Sequence, residues 1–195
     1  IWDKLFGTFQ PELKEVPPVY GVKRPVHTWN PMLIGVQHFW LILRDAVQTK
    51  NWIDKLRIWF MPTGWRPKDV AELRPVQLID DVYSVEKYDT HISSRLLIWS
   101  WIQWSIVLIS VLYLFLRFGD IGFPMVLLFG VYIWTSVFSI TSLMDKAGYA
   151  LIAEIVRFGV VILTFFIGKG DWFKVSEIWA GAAYLVLLYS AISFA

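Results

Sequence analysis

Residues 96–116 read LLIWSWIQWSIVLISVLYLFL, and this run contains no Asp, Glu, Lys or Arg. It holds one side-chain amide, that of Gln103. Because an α-helix rises 1.5 Å per residue, about 20 such residues cross the roughly 30 Å of hydrocarbon in a bilayer. The run therefore predicts a membrane-spanning helix.

Three further apolar runs follow, at residues 121–140, 147–167 and 178–195. Each has about the length needed to cross the membrane, and Pro124 stands near the start of the second run, where its missing N–H costs little. The connections, at residues 117–120, 141–146 and 168–177, are short, and short connections make neighbouring helices antiparallel. The sequence thus predicts an all-α, polytopic membrane protein with about four transmembrane helices, preceded by amphipathic interfacial helices.

Charge divides the chain near Arg95. Residues 1–95 hold 13 of the 18 Lys and Arg and 11 of the 16 Asp and Glu, and residues 96–195 hold the other 5 and 5. We therefore predict a cytoplasmic or interfacial segment first and a transmembrane four-helix region second. The net charge of +2 gives no reason to expect a nucleic-acid partner, and the lack of Cys excludes disulfides and Cys-ligated zinc.

Two amphipathic helices are predicted in the first segment. Asn30 and Pro31 are typical of a helix N-cap and first helical position. Apolar residues then recur at helical spacing. The two stripes consist of Val36, Phe39, Trp40, Leu43 and Val47, and of Trp52, Ile53, Leu56, Trp59 and Phe60. The second helix can lie in the lipid headgroup layer or pack on another protein helix, and residues 68–90 predict a surface loop or linker.

The orientation in the membrane is predicted from Lys and Arg, which favour the cytoplasmic side of a membrane protein. Lys87, Arg95 and Lys146 favour a cytoplasmic location for the first segment. Lys169 and Lys174 oppose this orientation. We expect the first orientation, with the charged segment on the cytoplasmic side.

Three histidines are present, His27, His38 and His91, and none has a His, Asp or Glu at i+3 or i+4. This spacing gives no helical metal site. The sequence also lacks an HExxH motif, a Gly-rich phosphate loop and a G-x-S-x-G elbow. We therefore expect no catalytic, cofactor-binding or metal-binding residue in this chain.

Glu154 and Arg157 stand three residues apart in the third predicted span, so they share one helix face. Charged groups at such depth in a membrane are expensive, and they usually pair or face a polar cavity. Two interpretations are open. The pair lines a pocket for a lipid headgroup or braces a catalytic part of the protein, or it is a structural ion pair that fixes helix packing.

The first residues of the chain resemble a known family signature. Trp2-Asp3-Lys4-Leu5-Phe6-Gly7-Thr8-Phe9 is similar to the W-D-[RK]-L-F-G-T-[FL] motif of the fatty acid hydroxylase and sterol desaturase superfamily. Later segments, within about residues 1–160, resemble its alkylglycerol monooxygenase-like branch. These are Val19-Tyr20-Gly21-Val22 with Pro25, Trp29-Asn30-Pro31, residues 54–60, Pro62-Thr63-Gly64-Trp65-Arg66-Pro67, and Leu143-Met144-Asp145-Lys146 leading to Glu154 and Arg157.

The resemblance implies a helical membrane enzyme whose histidine boxes hold a di-iron centre that activates O₂ to hydroxylate a C–H bond of a lipid. For the alkylglycerol branch it implies a reduced pterin as electron donor and the carbon next to an ether oxygen as target. None of the histidine boxes occurs here, and the chain begins with Ile1 rather than Met. We therefore expect a piece of a longer protein with its N-terminal catalytic half upstream, and no stoichiometric iron on this chain alone.

Composition and spacing by themselves indicate only a membrane-bound helical module. A non-enzymatic membrane scaffold or subunit stays open beside the lipid monooxygenase, as does a transporter fragment with Glu154 and Arg157 as coupling charges. The sequence before Ile1 distinguishes these alternatives, because an HxxHH box followed by Asn-Tyr-Gly there supports the enzyme.

Overall fold

The computed structural model describes residues 1–11, 13, 15, 26–76, 79, 81, 83, 85–177 and 181–194. The regular structure of these residues is helical, and no strand occurs among them. This architecture confirms the predicted all-α class of a polytopic membrane protein.

The chain forms two compact units. The first comprises Ile1–His27 and Trp40–Tyr88, and the second comprises Thr28–Phe39 and Asp89–Ala195. These units follow the packing of the chain. The predicted boundary near Arg95 divides the chain by charge and not by packing. It stays a prediction about which residues face water and which lie in the membrane.

Short helices build the first unit. They are α1 (Trp2–Leu5), the end of α2 (Pro31–Gln48), α3 (Trp52–Arg57) and α4 (Lys68–Leu73). The side chain of Asn51 caps α3 by accepting the Ile53 N–H at 3.0 Å. The helix α4 corrects the prediction of a loop or linker throughout residues 68–90, because a helix of fewer than two turns shows no readable hydrophobic period.

The apolar stripes predicted for α2 and α3 are exposed in the structure. The exposed side chains are Val36, Phe39, Trp40, Leu43, Val47, Trp52, Ile53, Leu56, Trp59 and Phe60. Phe60 is 87% exposed and Trp52 is 79% exposed. Such surfaces suit the lipid headgroup layer or another protein helix, and these two interpretations both stay open.

Longer helices build the second unit. They are α5 (Ser94–Ile121), α6 (Phe123–Met144), α7 (Ala150–Ile167) and, after a 3₁₀ turn at Val175–Glu177, α8 (Ala182–Phe194). Consecutive helices pack against one another in the order α5, α6, α7 and α8. The first three are long and apolar enough to cross a membrane. Over the described residues, α8 has 13 residues and is shorter than the predicted fourth span.

The helix α5 runs further than the first predicted span. The predicted connection at residues 117–120 is helical, because no Pro interrupts it and Arg117 pairs with Asp120 in the same turn at 3.3 Å. The chain turns at Gly122, whose φ of 82° lies in the left-handed region that favours glycine. Pro124 then stands in the first turn of α6, as predicted.

The start of α2 is fixed by Asn30, which confirms the predicted N-cap. Its side-chain oxygen accepts the N–H groups of Met32 at 3.1 Å and Leu33 at 3.3 Å. Its side-chain nitrogen donates to the Phe138 carbonyl and to Ser142 Oγ, both at 3.4 Å. One buried amide therefore both begins α2 and attaches it to the end of α6.

Asp145, directly after α6, binds the segment before α2. One carboxylate oxygen accepts the hydroxyl of Thr28, and the other accepts the backbone N–H of Trp29 at 2.8 Å. The segments Trp29-Asn30-Pro31 and Leu143-Met144-Asp145-Lys146, both singled out in the sequence, are therefore in contact within the second unit.

The connection between α7 and α8 folds into the helical bundle. Trp172 and Phe173 are buried, with ring centroids 5.6 Å and 4.6 Å from that of Phe129 on α6. Trp172 Nε1 donates to Thr164 Oγ1 at 3.0 Å, and the Tyr113 hydroxyl donates to the Phe173 carbonyl at 2.8 Å. This connection is thus a part of the core.

Candidate functional site: a polar network inside the bundle

Glu154 and Arg157, which share one face of α7, form an ion pair in the structure. Arg157 Nη2 donates to Glu154 Oε2 at 2.5 Å. The Arg157 side chain is 1% exposed and the Glu154 side chain is 3% exposed. The pair is thus almost completely enclosed by the bundle.

Hydroxyl groups from two other helices complete the surroundings of Glu154. Ser139 on α6 donates to Glu154 Oε1 at 2.6 Å, and Ser193 on α8 donates to Glu154 Oε2 at 3.0 Å. Both oxygens of the buried carboxylate therefore accept hydrogen bonds. A buried charge needs such bonds because it has lost its hydration.

Ser193 also connects the carboxylate to α5. Its Oγ accepts from Gln103 Nε2 at 2.5 Å and from Trp99 Nε1 at 3.3 Å. A hydroxyl has one donor and two acceptor positions, so these two bonds and the one to Glu154 use its full capacity. The hydroxyl of Ser193 is the junction between α5, α7 and α8.

Arg157 reaches α8 through Tyr189. Its Nη1 donates to the Tyr189 hydroxyl at 3.0 Å, and its guanidinium lies 5.3 Å from the centroid of the same ring. The Nε of Arg157 and the Oε1 of Gln103 are buried and have no hydrogen-bond partner among the residues that the structure describes. The network therefore joins side chains of α5, α6, α7 and α8.

Sequence reasoning identified the charged pair and the amide of Gln103, but it missed the partners. Ser139, Tyr189 and Ser193 are common residues in apolar helices, where hydroxyls usually bond to their own backbone. The spacing of Tyr189 and Ser193 is i, i+4, so they share one face of α8, and this signal was available.

The three histidines occupy separate surroundings. The rings of His27 and Tyr88 lie 5.8 Å apart, and those of His38 and Phe39 lie 6.3 Å apart. His91 Nδ1 lies 3.3 Å from a carboxylate oxygen of Asp89. The backbone N–H of His91 holds the pKa of Asp89 below its ordinary value, and the His91 charge acts in the same direction.

A di-iron centre does not fit the part of the chain that the structure describes. No group of three or more His, Asp or Glu residues there could hold a metal ion. Non-haem iron sites need a cluster of imidazole and carboxylate ligands with open positions. The described residues therefore supply no step of iron chemistry.

The Trp65-Arg66-Pro67 part of the family signature has a structural role in the first unit. Arg66 binds the buried carboxylate of Asp45 with a fork, Nε to Oδ2 at 2.5 Å and Nη2 to Oδ1 at 3.2 Å. Its Nη1 donates to the Arg74 carbonyl at 2.7 Å. Pro67 is buried directly before α4, so the motif joins α2 to α4.

The other part of the signature lies on α1 and the turn that follows. Asp3 accepts the N–H groups of Thr8 at 2.8 Å and Phe9 at 3.0 Å with its backbone carbonyl. Gly7, with φ of 69°, permits this tight turn. The rings of Trp2 and Phe6 stack with centroids 6.1 Å apart. Leu5, another signature residue of α1, is exposed like the rings of Trp2, Phe6 and Phe9.

Three apolar helices and an enclosed polar network define the class: a helical integral membrane protein. The chain is similar to the alkylglycerol monooxygenase of Xenopus tropicalis, with 28% identity over 173 residues, or 88% of this chain and 37% of that protein. It is 30% identical to the human alkylglycerol monooxygenase over 158 residues, covering 80% of this chain and 35% of the relative. These relatives confirm the resemblance to the alkylglycerol monooxygenase-like branch.

A shorter match extends the similarity to a third animal. The alkylglycerol monooxygenase of Caenorhabditis elegans is 33% identical over 76 residues, which is 34% of this chain and 15% of that protein. The chain spans little more than a third of the length of the Xenopus and human relatives. No protein-family model matches the chain, and no solved structure does.

Proposed function

We propose that this chain forms the C-terminal membrane part of a lipid monooxygenase that hydroxylates the carbon next to the ether oxygen of an ether lipid. The observation that carries the proposal is the similarity to alkylglycerol monooxygenases over 88% and 80% of the chain. The three apolar helices agree with a substrate that resides in the membrane.

The proposed role of the chain is to anchor and brace the enzyme. The network around Glu154 and Arg157 holds four helices together, and the fork of Arg66 holds the short helices of the first unit. We infer that the histidine boxes for a di-iron centre and the site for a reduced pterin come from the N-terminal part of the protein, outside these 195 residues. We also infer that residues 1–95 lie on the cytoplasmic side.

The test is an activity assay on the complete protein that carries this sequence, expressed in membranes that lack ether-lipid cleavage. An alkylglycerol is supplied with O₂ and a reduced pterin. One oxygen atom enters the C–H bond beside the ether oxygen, and the two electrons of the pterin reduce the other atom to water. The resulting hemiacetal breaks down to a fatty aldehyde and glycerol, and both products are measured.

Omission of O₂ or of the pterin should abolish the aldehyde. Metal analysis of the purified complete protein should find two irons per chain. A folded, membrane-inserted protein that holds no iron and leaves every ether lipid intact contradicts the proposal and favours the membrane scaffold.

A further inference from the structure

A groove of about 160 Å³ lies between α6 and α7, on the membrane-spanning part of the second unit. Its lining residues are Trp134, Thr135, Phe138, Tyr149, Ile152, Ala153 and Val156. One wall is a ladder of rings, because Trp134 stacks on Phe138 at 5.8 Å and Phe138 stacks on Tyr149 at 6.0 Å. The small side chain of Ala153 leaves room opposite this wall.

The hydroxyl of Thr135 is not available to a polar ligand in the groove. Its hydroxyl donates to carbonyls of its own helix, those of Val131 at 2.8 Å and Tyr132 at 3.1 Å. The other lining side chains are aromatic or aliphatic. An apolar cavity of about 150 Å³ in another protein holds a benzene molecule, so roughly six carbons of a hydrocarbon chain fit a groove of this size.

The groove spans about the depth of one leaflet of the bilayer. Tyr149 directly precedes α7 and Val156 lies about 10 Å further along the helix axis, at 1.5 Å per residue. Trp134 lies about 15 Å before the end of α6 by the same measure. The groove therefore extends from the end of the two helices to about the middle of the roughly 30 Å hydrocarbon layer.

A cation, Lys146, lies in the turn between α6 and α7, three residues before Tyr149 of the groove lining. Lys146 is exposed, and its ammonium donates to the His91 carbonyl at 3.2 Å. An ammonium has three donors, and this bond uses one of them. Asp145 in the same turn is engaged by Thr28 and Trp29, as described above.

We propose that this groove binds one acyl chain of a bilayer phospholipid, whose phosphate lies beside Lys146. The ligand is a resident membrane lipid and not the lipid that the enzyme oxidises. The proposal rests on the membrane location of α6 and α7 and is independent of the proposed activity.

The test uses the complete protein in nanodiscs that contain a phospholipid with a diazirine at the middle of one acyl chain. After irradiation, mass spectrometry should map the crosslinks to the peptides that carry Trp134, Ile152 and Val156. Replacement of Ile152 and Val156 by Trp fills the groove and should reduce this crosslinking to the background level. Leu163→Trp is the control, since this residue is exposed on the same helix but does not line the groove.

The headgroup is tested separately. Lys146→Gln should weaken crosslinking by the phospholipid but leave crosslinking by a diacylglycerol with the same chains unchanged. Equal effects on both lipids contradict the phosphate contact. Displacement of the probe by an alkylglycerol but not by unlabelled phospholipid contradicts a resident lipid and indicates a substrate chain. Crosslinks no stronger in the groove than near Leu163, or crosslinks only to another protein segment, overturn the proposal.

Discussion

Arg66 in the first unit and Arg157 in the second each bind a carboxylate, but the two pairs have different surroundings. Arg66 uses all three nitrogens of its fork, on Asp45 and on the Arg74 carbonyl, and its side chain is 17% exposed. Arg157 is 1% exposed and leaves Nε without a partner. Glu154, in compensation, receives hydroxyl bonds from α6 and α8.

This difference shows how burial changes what an ion pair does. A pair whose arginine keeps some contact with water, as Arg66 does, can be replaced in part by hydration, so its geometry mainly orients short helices. A pair inside a bundle loses hydration completely, and one partner without the other is an uncompensated charge. The same two residue types thus give a local clamp in one unit and a four-helix junction in the other.

The largest effect is expected for Arg157→Leu, which leaves the Glu154 carboxylate buried without its cation. We expect a loss of about 3–5 kcal/mol in the free energy of unfolding. The measurement is the temperature at which the complete protein, solubilised in detergent, loses its monodisperse chromatographic peak. The control is Arg95→Leu at an exposed position in the first turn of α5. Equal stability of the two variants contradicts the comparison.

The double variant Glu154→Gln and Arg157→Leu sharpens this result. It removes both charges, so it should be less destabilised than Arg157→Leu alone. Purely additive losses would show that the two residues do not act as a unit. Normal protein levels with lost activity would count against a purely structural role and favour a pocket at the substrate.

A smaller effect is expected for Arg66→Lys in the first unit. Lysine keeps the charge but cannot form the fork, so Asp45 and the Arg74 carbonyl lose hydrogen bonds. We expect a loss of about 1.5–3 kcal/mol, seen as faster amide hydrogen exchange in α4 of the complete protein. Arg74→Lys is the control, because only the backbone carbonyl of Arg74 takes part. Unchanged exchange in the Arg66 variant contradicts the clamp.

Two serines on α8 allow a hydroxyl of the polar network to be compared with a hydroxyl that bonds to its own helix. Ser193→Ala removes the junction and leaves Gln103 and Trp99 without their acceptor, so we expect a loss of about 1–3 kcal/mol. Ser190→Ala is the matched control, since the Ser190 hydroxyl donates only to Val186 of its own helix. The melting temperature in detergent compares them, and equal shifts would argue against the junction.

The smallest expected effect is the pH dependence of stability that Asp69 gives to the first unit. The backbone N–H of Lys50 holds the pKa of Asp69 below its ordinary value, and desolvation opposes this effect. Thr49 Oγ1 and the Val70 N–H also donate to this carboxylate. Because the pKa of Asp69 is depressed in the folded state, its carboxylate stabilises the fold above the unfolded pKa, which is about 4. This stabilisation is lost as the pH falls through the folded pKa.

The variant Asp69→Asn tests this pH dependence. Hydrogen exchange of α4 in the complete protein, measured relative to the intrinsic exchange rate at each pH, should rise as wild type is acidified below about pH 4, and the variant should lack this rise. Glu72→Gln, on the same helix, is the control. A rise of equal size in the Asp69 variant would contradict the assignment.

The three helices that are long enough to cross a membrane could be predicted from the sequence, because an apolar run of about 20 residues has few other solutions. The helix start at Asn30 and Pro31 could also be predicted, since capping is a local property of the backbone. The short helix α4 was missed because fewer than two turns show no period. The helical residues 117–120 were predicted as a connection, although an ion pair within one turn of α5 holds them in the helix.

The polar network could be predicted only in part. The charge of Glu154 and Arg157 in an apolar run identified them, but Ser139 and Ser193 carry no charge and lie 15 and 39 residues from Glu154. The burial of Trp172 and Phe173 was also missed. Their contacts with Phe129 depend on the path of the chain after α7, which local spacing does not determine.

The bonds between Asp145 and the Thr28–Trp29 segment bear on the order of events during synthesis. Their partners are 117 and 116 residues apart. At roughly 5–20 residues per second, a ribosome needs on the order of 10 s to produce Asp145 after Trp29. The start of α2 therefore waits for its acceptor until α5 and α6 have been made. A delay in the insertion of these two helices would leave the side-chain amide of Asn30 without its partners on α6 for longer.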